Sequence, residues 1–276
     1  MTRRDGGDPE VRRRHAPSLL AFRDGVLDRA SIAEGDVVLD LGTGTGLIGL
    51  GALDLVGETG RVIFSDVSAE LLAECRRQTG DDERCSFVEM PAGDLGPVAD
   101  ASVDVVTTRS VLMYLADKPA AFAEIARVLR PGGRLSIFEP VNSFRLGASP
   151  HRFLGLDLTP LAGLVEKLLR AYAGESLILD FDERDLLAWT ERAGFTSIEM
   201  DYRAQVDVPM GGERVDWDTL KRTAPNPLVP TYEEAMAATL TAAERDRLDE
   251  HLRALFAAGA PRHSSAATIF LRAVRA

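Results

Sequence analysis

The sequence predicts an α/β fold, doubly wound around a mostly parallel sheet. Two observations predict it. Short apolar runs of strand length alternate with segments whose apolar residues recur at helical spacing. A cluster of glycines at alternate positions, Gly42-Thr43-Gly44-Thr45-Gly46, falls between the first strand and the helix after it. Alternation of this kind implies parallel strands covered by helices on both faces.

Residues 1–14 are polar and are expected to fray. From Pro17 to Ile32, Leu19, Leu20, Phe22, Val26, Leu27 and Ala30 recur at helical spacing. Gly35 and Asp36 end that helix, and Val37-Val38-Leu39 reads as a buried strand. The glycines follow, then a helix over 47–56. The pattern continues with a strand at 61–65, a helix at 69–78 and strands at 85–89 and 103–108. Residues 118–129 read as an amphipathic helix stopped by Pro131-Gly132-Gly133. A strand at 134–139, a helix at 182–193 closed by Gly194, and strands at 196–202 and 266–274 complete the series.

Two stretches break the alternation, 141–181 and 204–263. Each is far longer than the roughly 12–15 residues that an unstructured loop reaches in a compact domain. They are expected to be helical cap insertions, the second with a helix from Tyr232 to Phe256. The chain then divides into an N-terminal helical segment, 1–34, and one main domain, 35–276, that carries both insertions.

Composition narrows the function. Hydrophobic residues are 45% of the 276, enough for a sizeable core. Lys and Arg total 32 against 43 Asp and Glu, a net charge of -11. Such a surface repels nucleic-acid phosphates and anionic lipid heads, so neither partner is expected. No apolar run approaches the roughly 18 residues of a membrane span. The opening residues are charged and lack the apolar centre of a signal peptide. Cys75 and Cys85 are too few for a disulfide framework, and with four histidines they form no zinc spacing. The expectation is a cytoplasmic enzyme acting on a small molecule, with no metal.

The glycine cluster carries most of the information. Glycines after a strand permit a tight turn and leave no Cβ between the backbone and a ligand. A strand-to-helix turn with no ligand uses the same residues, so the cluster alone is a weak signal. Its surroundings sharpen it. Asp40 ends the strand before the glycines, and Asp66 ends the next strand, at the same sheet edge. A carboxylate there suits the two hydroxyls of a ribose. Leu129-Arg-Pro-Gly-Gly133 then precedes the strand that ends at Glu139.

Together these motifs resemble the class I S-adenosylmethionine-dependent methyltransferases, in the broad group of small-molecule and ubiquinone-biosynthesis enzymes. The family's acid-x-Gly-x-Gly-x-Gly motif matches Asp40–Gly46. Its acid after the second strand matches Asp66, and its Leu-x-Pro-Gly-Gly turn matches 129–133. The resemblance covers 35–139 and extends more loosely to Phe195. It implies a Rossmann-like sheet of seven strands, the last antiparallel, and S-adenosylmethionine as cofactor with S-adenosylhomocysteine as product. Asp40, Gly42, Thr43, Gly44 and Gly46 would form the loop at the methionine end, with Asp40 orienting it or reaching the ammonium through water. Asp66 would take the ribose diol and Val67 the adenine. One departure stands out. The family often places Gly-Asp after the third strand, where this chain reads Met90-Pro-Ala-Gly-Asp94. Adenine contact is therefore expected from Ala92 and Gly93, with Asp94 reaching it only after a local shift.

A nicotinamide dehydrogenase shares the strand–glycine–helix–acid layout. Two features oppose it. Asp40 would face a pyrophosphate, and the third glycine follows the second by two residues where that pattern needs three. A cofactor-binding protein without catalysis keeps every motif and is separated by a product assay or a ligand-bound structure.

The acceptor should lie beyond the carboxyl ends of the strands. Arg109 and Ser110, after the fourth strand, are expected under the sulfonium end, chiefly through backbone. Tyr114 either faces the acceptor or joins Val111, Leu112 and Met113 in the core. Glu139 is a candidate general base or acceptor ligand, with a capping carboxylate as the alternative. His151, His263 and His15 are candidate bases, each weighed against a surface histidine. Methyl transfer needs alignment more than proton transfer, so the lack of a catalytic triad is no argument against it.

Overall fold

The structure is a computed structural model that describes residues 9–147, 152–170, 172, 177–210, 216–225 and 229–276. Contacts divide the chain into two compact units. The first comprises Pro17–Asn142, Leu177–Arg203 and Ala267–Ala276; the second draws on Met1–Ala16, Ser143–Ser176 and Ala204–Ala266.

The chain runs α1 (Pro9–Ala30), β1 (Val37–Leu41), α2 (Leu47–Val56), β2 (Arg61–Asp66), α3 (Ala69–Thr79), β3 (Cys85–Glu89), β4 (Val103–Arg109), α4 (Lys118–Val128) and β5 (Leu129–Pro140). A β-ribbon of β6 (Arg152–Phe153) and β7 (Leu156–Asp157) leads to α5 (Ala162–Leu169). Then come α6 (Glu183–Arg192), β8 (Phe195–Pro209), α7 (Trp217–Leu220), α8 (Tyr232–Thr239), α9 (Ala242–Ala257) and β9 (His263–Arg275). Short 3-10 turns lie between several of these.

Seven strands form one sheet in the order β3-β2-β1-β4-β5-β9-β8. The five from β3 to β5 are parallel, and β9 runs antiparallel to β5. The fold expected from the sequence is therefore present, antiparallel strand included.

In the first unit, Val26, Leu27 and Ala30 of α1 share a core with α2, Leu72 and Cys75 of α3, and Val38, Val62, Phe64, Val105 and Phe138 of the strands. On the opposite face α4 packs on β5 and α6, with Phe122 and Trp189 6.2 Å apart between ring centres. Several helix starts have a local cause. Ser68 caps α3 through the Leu71 amide, Asp117 caps α4 through Ala120, and Asp182 forms a reciprocal capping box with Asp185.

The second unit has its own core, in which Phe153, Leu156, Leu158, Val165 and Leu168 pack with Trp217, Met236, Leu248, Leu252 and Phe256. Trp217 stacks on Phe256 at 5.8 Å and donates its indole N–H to Asp249.

Several boundaries differ from the sequence reading. Helix α1 begins at Pro9, so 9–14 are helical and Pro17 sits inside the helix. The helix expected from Tyr232 to Phe256 is two helices. Thr241 closes a capping box with Glu244 and starts α9 afresh, as Thr231 does with Glu234 for α8. Helix α4 ends at Val128, and the Pro131-Gly132-Gly133 turn belongs to β5, where the register with β4 shifts. Strand β8 continues seven residues beyond Tyr202, to Pro209. Among the described residues no helix is long and apolar enough to cross a membrane.

Trp217→Ala should remove about 3–5 kcal/mol of stability from the second unit, since it empties a fully buried site and leaves Asp249 short of a donor. Hydrogen exchange should show α9 losing protection while β1 and β4 keep theirs.

Candidate active site

At the end of β1 the chain must turn sharply into α2. Gly42, Gly44 and Gly46 adopt φ of 67°, 59° and 89°, in the left-handed region that side chains disfavour. Asp40 fixes this turn. Its side chain is 1% exposed. Oδ2 accepts from the Thr43 hydroxyl at 2.6 Å and the Gly49 amide at 2.8 Å. Oδ1 accepts from the Thr107 hydroxyl of β4 at 3.0 Å. One carboxylate thus joins β1, the loop, the first turn of α2 and the neighbouring strand. Burial raises its pKa to about 6, against the lowering effect of these donors. Of the two sequence expectations for Asp40, the structure shows the loop-orienting one.

Asp66 holds the outer side of the loop. Its Oδ2 accepts from the Gly44 amide at 2.9 Å and Oδ1 from the Ser68 amide at 3.0 Å. A carboxylate has about four acceptor positions, so each oxygen keeps capacity for a further donor. Val67, beside it, is 67% exposed, which is unusual for a valine next to a sheet edge.

The glycines differ in what faces them. A Cβ on Gly42 would strike the Val111 side chain, and one on Gly49 would strike Phe64. A Cβ on Gly44 or Gly93 would meet nothing within 4 Å. Gly42 and Gly49 are therefore packing positions, whereas Gly44 and Gly93 present bare backbone to open space. Ala92 is 6% exposed beside Gly93. Asp94 is exposed and accepts from the Gly96 amide in its own turn.

Beyond β4, Ser110 has φ 55°, a strained value for a residue with a side chain, and its amide bonds the Phe138 carbonyl. Arg109 lies over the rings of Phe22 and Phe138, 5.6 and 5.9 Å from their centres. In the 3-10 turn Leu112–Tyr114, Leu112 and Met113 are buried and Tyr114 is half-buried.

Of the two expectations for Glu139, its contacts are those of the capping carboxylate and not of the substrate-facing base. Its side chain is fully buried, and Oε1 accepts from the amides of Val111 and Leu112, both at 2.8 Å. It is turned inward and caps the turn after β4. Burial raises its pKa to about 7, opposed by the amides and by the charge of Arg109.

His151 lies outside the described residues. His15 falls within α1 instead of preceding it. His263 belongs to the second unit, with Nδ1 3.2 Å from Asp207 Oδ1; Arg152 pairs with the same oxygen. Among the described residues no group of three or more His, Cys, Asp or Glu side chains could hold a metal ion.

Three contributors were not visible as such in the sequence. Thr107 is a strand residue whose hydroxyl completes the Asp40 set. Cys75 of α3 donates its thiol to the Gly44 carbonyl at 3.4 Å, and burial raises its pKa to about 11. Gln78 donates to the Thr45 carbonyl. The only available signal was helical spacing, which puts Leu72 and Cys75 on one face of α3.

The residues fit S-adenosylmethionine. An unobstructed backbone at Gly44, a carboxylate with spare acceptor capacity at Asp66 and an exposed apolar side chain at Val67 lie together along one edge of the sheet.

Asp40 and Glu139 both bind protons more tightly in the folded chain than in the unfolded one. The stability each contributes is present below the ordinary carboxylate pKa and is lost as pH rises through about 6 and about 7. Asp40→Asn should therefore make the fall in Tm between about pH 5 and about pH 7 shallower than in the natural protein. Thermal melts across that range measure it.

A methyltransferase-domain family model matches residues 39–137. The ubiquinone/menaquinone biosynthesis C-methyltransferase of Hahella chejuensis is 32% identical over 61% of this chain and 70% of its own length. An uncharacterised transposon protein of Streptomyces fradiae is 42% identical over 44% of this chain, which spans 34% of that protein. Among solved structures, the YcgJ protein of Bacillus subtilis has the same fold, with a TM-score of 0.57 and 18% identity over 94% of this chain and 98% of that one. With its Asp40–Gly46 loop and Asp66 at the sheet edge, the chain belongs to the class I S-adenosylmethionine-dependent methyltransferases.

Proposed function

We propose that the protein moves a methyl group from S-adenosylmethionine to a small-molecule acceptor by direct displacement. One observation carries this reading: the loop held by Asp40 leaves Gly44 bare beside the Asp66 carboxylate. The small-molecule class is supported by the related C-methyltransferase of ubiquinone and menaquinone biosynthesis. The acidic net charge supports it too, since it disfavours a nucleic-acid or membrane partner and suits a cytoplasmic setting.

The chain's part in the reaction is binding and alignment. Asp66 would accept from the ribose hydroxyls, Val67 and Ala92 would pack against the adenine, and Gly93 would let it approach. The loop from Gly42 to Gly46, with Thr43, would take the methionine end, and the backbone of Arg109 and Ser110 would lie under the sulfur. When bound, S-adenosylmethionine supplies a methyl group already activated on a sulfonium, so fixed orientation supplies most of the rate effect. Neither buried carboxylate is assigned proton transfer, because Asp40 and Glu139 are committed to backbone and hydroxyl donors. Tyr114 remains the candidate acceptor contact after β4.

The second unit is assigned acceptor selection on chain path. Its two longer segments continue the chain from β5 and from within β8, and ligands of open α/β sheets bind beyond the carboxyl ends of such strands.

Isothermal calorimetry with S-adenosylhomocysteine tests the reading. Asp66→Ala should weaken binding by about 1.5–3 kcal/mol, through loss of charge-assisted bonds and of the Gly44 anchor. Gly44→Val should weaken it further, because its side chain would fill the open face. Tight binding of NAD with none of S-adenosylhomocysteine would overturn the reading.

A further inference from the structure

Glu139 is a buried carboxyl for which the binding scheme has no direct use. Its two oxygens are unequal. Oε1 receives two backbone amides, whereas Oε2 is buried without a hydrogen-bond partner. Fully burying a carboxylate is costly, and a neutral side chain of the same shape would avoid that cost. Two amides on one oxygen favour the charged form.

The amides it holds lead to the cofactor loop. Val111, whose amide bonds Glu139, packs its side chain directly on Gly42, where a Cβ would collide with one Val111 methyl and crowd the other. Next to it Ser110 keeps its strained backbone. The path from Glu139 to the Val111 amide, the Val111 side chain and the Gly42 backbone lies wholly in the first unit.

Resting on the functional reading above, we infer that Glu139 is a positioning residue for the cofactor loop: its ionised carboxylate fastens the Val111–Tyr114 turn against Gly42 and so sets affinity for S-adenosylmethionine. Protonation weakens the two amide bonds while the side chain stays buried, and so loosens the turn against Gly42 and lowers that affinity.

Among the described residues, Arg109 is the charged group that acts on Glu139, and from β4 its positive charge favours the ionised form. The turn after β4 presents Tyr114. On β9 its sheet partner is the apolar Ile269. Its burial places the titration near 7, within reach of ordinary pH changes. Asp40, with a pKa of about 6, is the other group that could make cofactor binding pH-dependent. The two are separable, because each has its own reporting amide.

The experiment is an amide NMR titration with calorimetry, on the natural chain and on Glu139→Gln. Glutamine keeps one carbonyl for the two amides and cannot ionise. In the natural chain the Val111 and Leu112 amide shifts should move with a common midpoint near 7, while Gly49, bonded to Asp40, moves with a lower one. S-adenosylhomocysteine affinity should fall about fivefold or more from about pH 8 to about pH 6. In Glu139→Gln the Val111 and Leu112 shifts should be flat, and affinity should sit near the low-pH value of the natural chain, with only the Asp40 dependence left. Val111 and Leu112 shifts that do not move in the natural chain, or the same pH dependence of affinity in both proteins, would overturn the inference. Titrating amides with no binding of S-adenosylhomocysteine at any pH would overturn the functional reading and the claim on affinity, and leave the cap established. If Glu139→Gln does not fold, the titration of the natural chain decides the charge on the cap, and Val111→Ala decides the link to the loop by weakening affinity with the titration intact.

Discussion

Asp40 is the constraint on which the rest of the site depends. A glycine-rich turn is conformationally free, and freedom is a cost when a ligand must find it ordered. The carboxylate removes that freedom by accepting from Thr43 in the turn, Gly49 in the first turn of α2 and Thr107 on β4. These bonds span three elements, so the loop cannot shift without breaking the join between strand and helix. The cost appears as a pKa raised to about 6 at a side chain 1% exposed.

A second layer of support surrounds the first. Asp66 ties the Gly44 amide, the Cys75 thiol meets the Gly44 carbonyl, and Gln78 holds Thr45. Val111 closes the side at Gly42. Every loop residue from Gly42 to Thr45 is thus fixed by a neighbour from a different element, while the outer surface of Gly44 stays open. Rigid backing with one bare face is what a preformed binding site requires.

The sheet and the glycine loop were legible in the sequence because both rest on local rules. Strand and helix periods place each element, and the acid–glycine spacing depends on residues within one turn of each other. Boundaries governed by capping were legible in principle: Thr231 to Glu234 and Thr241 to Glu244 are both Thr-x-x-Glu boxes, and they divide what reads as one apolar helical stretch. What was not legible depends on distant contacts. Thr107 lies 67 residues from Asp40 and Cys75 lies 31 from Gly44, and neither residue type signals such a pairing. Glu139 shows the limit most clearly. Its place at a strand end suggested either a reactive carboxylate or a cap, and only the distant Val111 and Leu112 amides, which its Oε1 accepts, decide for the cap.

The central claim is that the bare face of Gly44, bounded by Asp66, is the nucleoside site of a methyl donor. A crystal structure of the protein with S-adenosylhomocysteine tests it most directly. The account predicts both ribose hydroxyls on the Asp66 carboxylate, the adenine between Val67 and Ala92, and the amino-acid end along Gly42–Gly46. A nucleoside bound away from Gly44 and Asp66, or an Asp40 carboxylate that leaves Gly49 to bind the ligand, would contradict it.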